Sequence, residues 1–114
     1  MSQFAAIMST DGVVQVVPFV DNQLKTLQNA VGGYVEAITL TPDLIMWVNE
    51  EGKMNKLPFN QAATSIFVKH RGGADFIVGQ VVFTGGNDSN GDTNGIDEVQ
   101  IQQLKTYAEM SKIN

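Results

Sequence analysis

The stretch Tyr34-Val35-Glu36-Ala37-Ile38-Thr39-Leu40-Thr41-Pro42-Asp43-Leu44-Ile45-Met46-Trp47-Val48 decides the fold class. Tyr34 to Thr41 puts Tyr34, Glu36, Ile38 and Leu40 on one face and Val35, Ala37, Thr39 and Thr41 on the other, as a β-strand does. Thr41-Pro42-Asp43 makes a turn, and Leu44 to Val48 returns as an apolar strand. Asn49 to Gly52 turns the chain again. Lys53 to Leu57 reads as a short return strand, which Pro58 ends.

Upstream, Phe4 to Ser9 is a strand, and Asp11-Gly12 is a two-residue hairpin signal leading into Val13 to Phe19. Pro18 marks an edge or a strand end. Asp21 is the expected N-cap of a helix from Asn22 to Val31, with Leu24, Leu27, Ala30 and Val31 on its apolar face. Gly32-Gly33 stops it. Downstream, Asn60 caps a helix from Gln61 to about Phe67, and His70 to Asp75 is a loop. Phe76 to Thr84 is a strand with Gly79 as a bulge or a point of close approach. Residues 85–95 form a polar Gly/Asn/Asp loop, expected to be flexible. Thr93 or Asp97 opens a last helix with Ile101, Leu104, Tyr107 and Ala108 inward. The order β-β-α-β-β-(β)-α-β-α predicts a single α+β domain over 1–114. It implies an antiparallel or mixed sheet with two to three helices on one face.

Composition sets the outer limits. The 43% apolar content over 114 residues is enough for one core. With no cysteine, disulfides, thiolate metal sites and cysteine nucleophiles are excluded. Net charge is −5 and the seven basic residues are scattered, so no nucleic-acid face is expected. No apolar run approaches the roughly 20 residues of a membrane span. The N-terminus lacks the basic start and apolar block of a signal peptide, so a cytoplasmic location is expected.

No residue pattern defines a catalytic site. Glu50 and Glu51 are paired carboxylates suited to acid/base work, yet adjacent strand residues point to opposite sides. The bland alternative is a charged turn with Gly52 at positive φ. Asp88, Asn90, Asp92 and Asn94 alternate as calcium ligands would, but the bidentate glutamate of the EF-hand is missing from either register. An Asx/Gly turn explains them without a metal, so no metal site is expected. His70 with Asp75 and Ser65 contains the residue types of a triad but has no nucleophile-elbow motif. Lys69-His70-Arg71-Gly72-Gly73 can meet a single phosphate, but no P-loop or dinucleotide fingerprint accompanies it, and no cofactor is expected. Trp47 and Tyr34 can stack on a planar ligand or simply pack in a core.

Five segments in order carry a resemblance: Val31-Gly32-Gly33-Tyr34-Val35-Glu36, Val48-Asn49-Glu50-Glu51-Gly52-Lys53, Leu57-Pro58-Phe59-Asn60, Ala63-Thr64 and Ile77-Val78-Gly79. Over about residues 13–108, its family-like core, the chain resembles a domain-of-unknown-function family of bacteriophages, plasmids and actinobacterial genomes with VGGYIE, NEEGK, LPxN and IVG motifs. Gln61 stands where a basic residue often follows the asparagine. The resemblance implies a mobile-element setting and, by analogy, an inhibitor or sequestering protein. The expectation is a non-enzymatic accessory protein that binds a small polar ligand, such as a nucleotide, or a host protein. Its expected ligand-binding residues are Tyr34, Glu36, Trp47, Asn49, Glu50, Lys53 and Asn60, and a homo-oligomer is expected. A ligand-free assembly protein and a hydrolase using Glu50 or Glu51 are the alternatives.

Overall fold

The computed structural model describes residues 3–112. Among them the elements are β1 (Phe4–Met8), β2 (Val14–Pro18), α1 (Gln23–Val31), β3 (Val35–Thr41), β4 (Leu44–Asn49), α2 (Gln61–Arg71), β5 (Val81–Thr84) and α3 (Glu98–Ser111). They build one sheet in the order β2-β1-β5-β4-β3. Every ladder is antiparallel, so of the two sheet types expected the antiparallel one forms. β5 lies in the middle and is buried along its whole length. A strand covered on both faces needs apolar side chains on both, so Val81, Val82 and Phe83 run together without alternation.

That burial corrects the expectation of helices on one face only. Ala6, Met8, Met46, Val48, Val81 and Phe83 join Ile66 of α2 and Leu104 of α3 in the larger core cluster. Ala5, Phe19 and Val82 join Leu27 and Val31 of α1 in a second cluster on the opposite face. Each fully buried large side chain contributes roughly 1.5–3 kcal/mol, so both layers are needed to hold a domain of this size. None of the helices among the described residues is long and apolar enough to cross a membrane.

Local chemistry explains where the elements differ from expectation. The β1–β2 turn is a three-residue loop, Thr10-Asp11-Gly12, closed by the Ser9 amide on the Val13 carbonyl at 3.0 Å. Asp21 does not cap α1. The N-cap is Asn22, in the left-handed region at φ 53° and without a side-chain bond. Leu24 is exposed, leaving Leu27 and Val31 as the buried residues of that helix. α2 continues past Phe67 to Arg71, so His70 is helical and not in a loop; the Gly72 amide closes the helix on the Val68 carbonyl. The strand expected from Phe76 begins only at Val81, because Gly79 sits at φ +77° and turns the backbone out of the ladder. Before it, Val78 makes an isolated bridge to Phe59. α3 opens on a capping box of Asp97 and Gln100.

Candidate functional site

Residues 50–56 form a series of turns, so the return strand expected from Lys53 to Leu57 is not there. The Asn55 amide donates to the Glu51 carbonyl at 2.9 Å, and the Leu57 amide donates to the Gly52 carbonyl at 3.0 Å. Winding consumes the backbone groups that a return strand would have offered to a neighbour. Asn49 anchors the segment at both ends of its side chain. Its Oδ1 accepts from the Glu51 amide at 2.8 Å, and its Nδ2 donates to the Val31 carbonyl at 3.1 Å. Gly52 does not have the positive φ expected of it; that conformation falls on Lys56, at φ 57°. Space is tight at Gly52, since a Cβ there would lie 3.0 Å from Val78 Cγ2 and 3.3 Å from the Asn49 carbonyl oxygen.

Lys53 is held from two directions. Its ammonium bonds the Asp75 carboxylate, and its Nζ lies 4.5 Å from the centroid of the Phe76 ring. The Phe59 ring is 6.3 Å from that of Phe76. The Lys53 hydrogen bond, and then the Phe76 amide, hold the Asp75 carboxyl below the ordinary aspartate range. A depressed folded value means that the pair's contribution is present above the unfolded pKa. It is lost as pH falls through the folded one. In an NMR titration the Asp75 carboxyl carbon will therefore show a midpoint below that of a free aspartate, and Lys53→Met will raise it. An unchanged midpoint in that variant would show that the ion pair does not hold in solution.

Beneath this turn lies a cavity of about 180 Å³. Ile38, Val48, Phe67 and Ile77 supply apolar wall, while Glu36, Glu50, Glu51 and Asp75 bring carboxylates and Lys53 the single ammonium of the lining. Four of the seven expected ligand residues, Glu36, Asn49, Glu50 and Lys53, thus meet at one place. Asn49 borders the cavity even though its amide is engaged with Val31.

The other three lie elsewhere. Tyr34 is exposed, and its carbonyl accepts from the Glu50 amide at 2.8 Å. Trp47 faces the α1 side and packs against the second core cluster, where its Nε1 donates to Thr84 Oγ1 at 2.8 Å. Asn60 is fully buried. Its Oδ1 accepts from the Ala63 amide at 3.0 Å, and its Nδ2 donates to the carbonyls of Gly79 at 2.9 Å and Met8 at 3.3 Å. Its hydrogen-bonding capacity is spent inside the fold. Gln61, at the position where a basic residue was expected, donates to the Ser111 carbonyl at 2.9 Å and ties α2 to the end of α3.

The triad residues do not engage one another. Ser65 donates to the Gln61 carbonyl, the His70 Nδ1 pairs with the Ile66 carbonyl, and Asp75 holds Lys53. In the polar loop, Asp88 Oδ1 accepts from the amides of Asn90 and Asp92, at 2.8 and 3.0 Å. Asn87 and Thr93 bridge across a small hairpin. Among the described residues no group of three or more His, Asp or Glu is placed to hold a metal ion. A larger groove of about 830 Å³ runs between α2 and α3 and includes His70, but none of the seven expected residues. Size favours that groove; convergence of polar groups on an apolar floor favours the smaller cavity.

Phe76 and Phe67 were not read as site residues, and Asp75 was weighed only as a triad partner of His70, not as the partner of Lys53. Asp75 is 22 residues from Lys53, and no local periodicity reports such a contact. The only hint was an Asp-Phe pair just after the glycines.

Fold and site together define an antiparallel α+β domain with a small, acid-rimmed cleft under the turn that follows β4. The chain belongs to the family described as domain of unknown function (DUF3846), whose model matches residues 4–110. No curated protein and no solved structure matches it.

Proposed function

We propose that this chain is a non-enzymatic binding protein whose cleft receives a positively charged group, in the first place a lysine or arginine side chain of a partner protein. The observation that carries this reading is the cleft's charge: Glu36, Glu50, Glu51 and Asp75 against Lys53 alone, around an apolar wall. A concave acidic site concentrates cations and repels phosphates. The aliphatic stem of a basic side chain suits the wall, and its head suits the rim. The geometry therefore favours a protein partner over a nucleotide. Lys53, already engaged by Asp75, is poorly available to neutralise an anion. The ordered motifs support a mobile-element setting, in which a small acidic protein captures a basic segment of a host protein and so counters its function.

The assembly reading keeps one specific observation in its favour, since Asn60 and the amide of Asn49 serve the fold itself. A calorimetric panel separates the two. Capped lysine and arginine peptides will bind and will lose affinity in Glu36→Gln and Glu50→Gln, while ATP gives no heat. Binding of ATP, or silence from every basic probe, would defeat the proposal.

A further inference from the structure

We infer that the outer edge of β3 pairs antiparallel with the β3 edge of a second copy of this chain. β3 is the terminal strand of the sheet. The Glu50 amide donates to the Tyr34 carbonyl, so Tyr34 faces β4, and alternation turns the N–H and C=O groups of Val35, Ala37 and Thr39 outward. Arg71 confirms the direction independently: its Nη1 reaches the Thr39 carbonyl at 3.0 Å from α2. Among the described residues no side chain bonds the outward groups of Val35 or Ala37.

The opposite edge is different. There the Ser9–Val13 bond turns Val14, Val16 and Pro18 outward, and proline removes a donor from that row. β3 carries neither proline nor lysine, the usual devices that blunt an edge. Ala37 and Thr39 are small and exposed, so a second backbone can approach.

The register that uses all three outward residues is symmetric about Ala37. It sets Ala37 against Ala37, Val35 against Thr39 and Glu36 against Ile38, with about six new backbone bonds. The ladder ends before the irregularity between Thr39 and Thr41. Opposed residues share a face, so Glu36 of the second copy arrives on the α2 side, beside the Thr39 carbonyl that Arg71 now holds. Arg71 of each copy then meets Glu36 of the other, an ion pair made twice by the two-fold axis. This charge match selects a second copy over an unrelated strand. It also brings a residue of the second copy to the mouth of the cleft, which Glu36 lines.

Sedimentation equilibrium over a wide concentration series tests the pairing. The unmodified chain will dimerise, and Ala37→Pro, whose lost N–H points away from β4, will be a monomer with an unchanged circular dichroism spectrum. Glu36→Arg and Arg71→Glu will each weaken the dimer by about tenfold or more through like-charge contact, and the double variant will recover it. A monomer at every concentration overturns the inference. So does a dimer that survives Ala37→Pro or shows no recovery in the charge swap. None of these outcomes depends on what the cleft binds.

Discussion

Replacing Gly86 by alanine will cost about 3 kcal/mol, the upper end of overpacking penalties, and will lower the melting temperature by on the order of 10 °C. A Cβ built at Gly86 lies 1.9 Å from the Pro42 carbonyl oxygen and 3.1 Å from its carbon. These are backbone atoms of the β3–β4 turn, so no rotamer change relieves the clash. Nor can the hairpin retreat. The Gly85 amide donates to the Asn94 carbonyl, and the Asn94 amide to the Gly86 carbonyl, each at 2.9 Å. Gln23 and Gln100 pin the neighbourhood further by donating to the carbonyls of Thr93 and Asp43. Thermal melts of the variant check this. A change of only a degree or two would mean that the hairpin does not lie on that turn.

Asn60→Ala will destabilise by a similar amount, about 3 kcal/mol, the sum of a lost helix cap and a buried Gly79 carbonyl left without its donor. The side chain ties α2 to the end of β1 and to the backbone just before β5. Asn60→Asp separates the two parts. The carboxylate still accepts from the Ala63 amide, but it points negative charge at the carbonyls of Met8 and Gly79. At neutral pH it will therefore cost more than alanine. Burial raises its folded pKa above the unfolded one, so stability returns as pH falls and the carboxyl becomes a donor. Chemical denaturation at neutral and mildly acidic pH measures both. An aspartate variant as stable as the parent would show that Asn60 is not a buried donor.

Asn60 also shows how far sequence could reach. Asn-x-x before a run of small and apolar residues marked a cap, and the cap is there. Its second and third bonds depend on Met8, which is 52 residues away, and on the turn that Gly79 makes. The α+β class, the two hairpins and all three helices were legible because each rests on local alternation or capping. The end of α2 was not: Lys69-His70-Arg71 reads as a loop beside Gly72-Gly73, whereas cations in the last turn suit the helix dipole. Placement of α1 on the face opposite α2 and α3 followed from no local pattern, because β5 is apolar on both sides. At the site, Glu36, Glu50 and Lys53 were legible as a polar cluster richer than folding requires. Trp47 and Asn60 belonged to the same set of expected ligand residues but serve the core and a cap. Proximity in sequence could not separate those roles; the far face of the sheet takes Trp47, and burial at the start of α2 takes Asn60.

Entry of a cation into the cleft under the Asn49–Lys53 turn, as proposed, is tested most directly by amide chemical-shift mapping with a capped lysine peptide. Shifts are expected at Glu36, at residues 49–54 and at residues 75–78 alone, and they will be lost in the Glu36→Gln, Glu50→Gln double variant. Shifts centred on the groove between α2 and α3, or shifts that persist undiminished in the double variant, would contradict it.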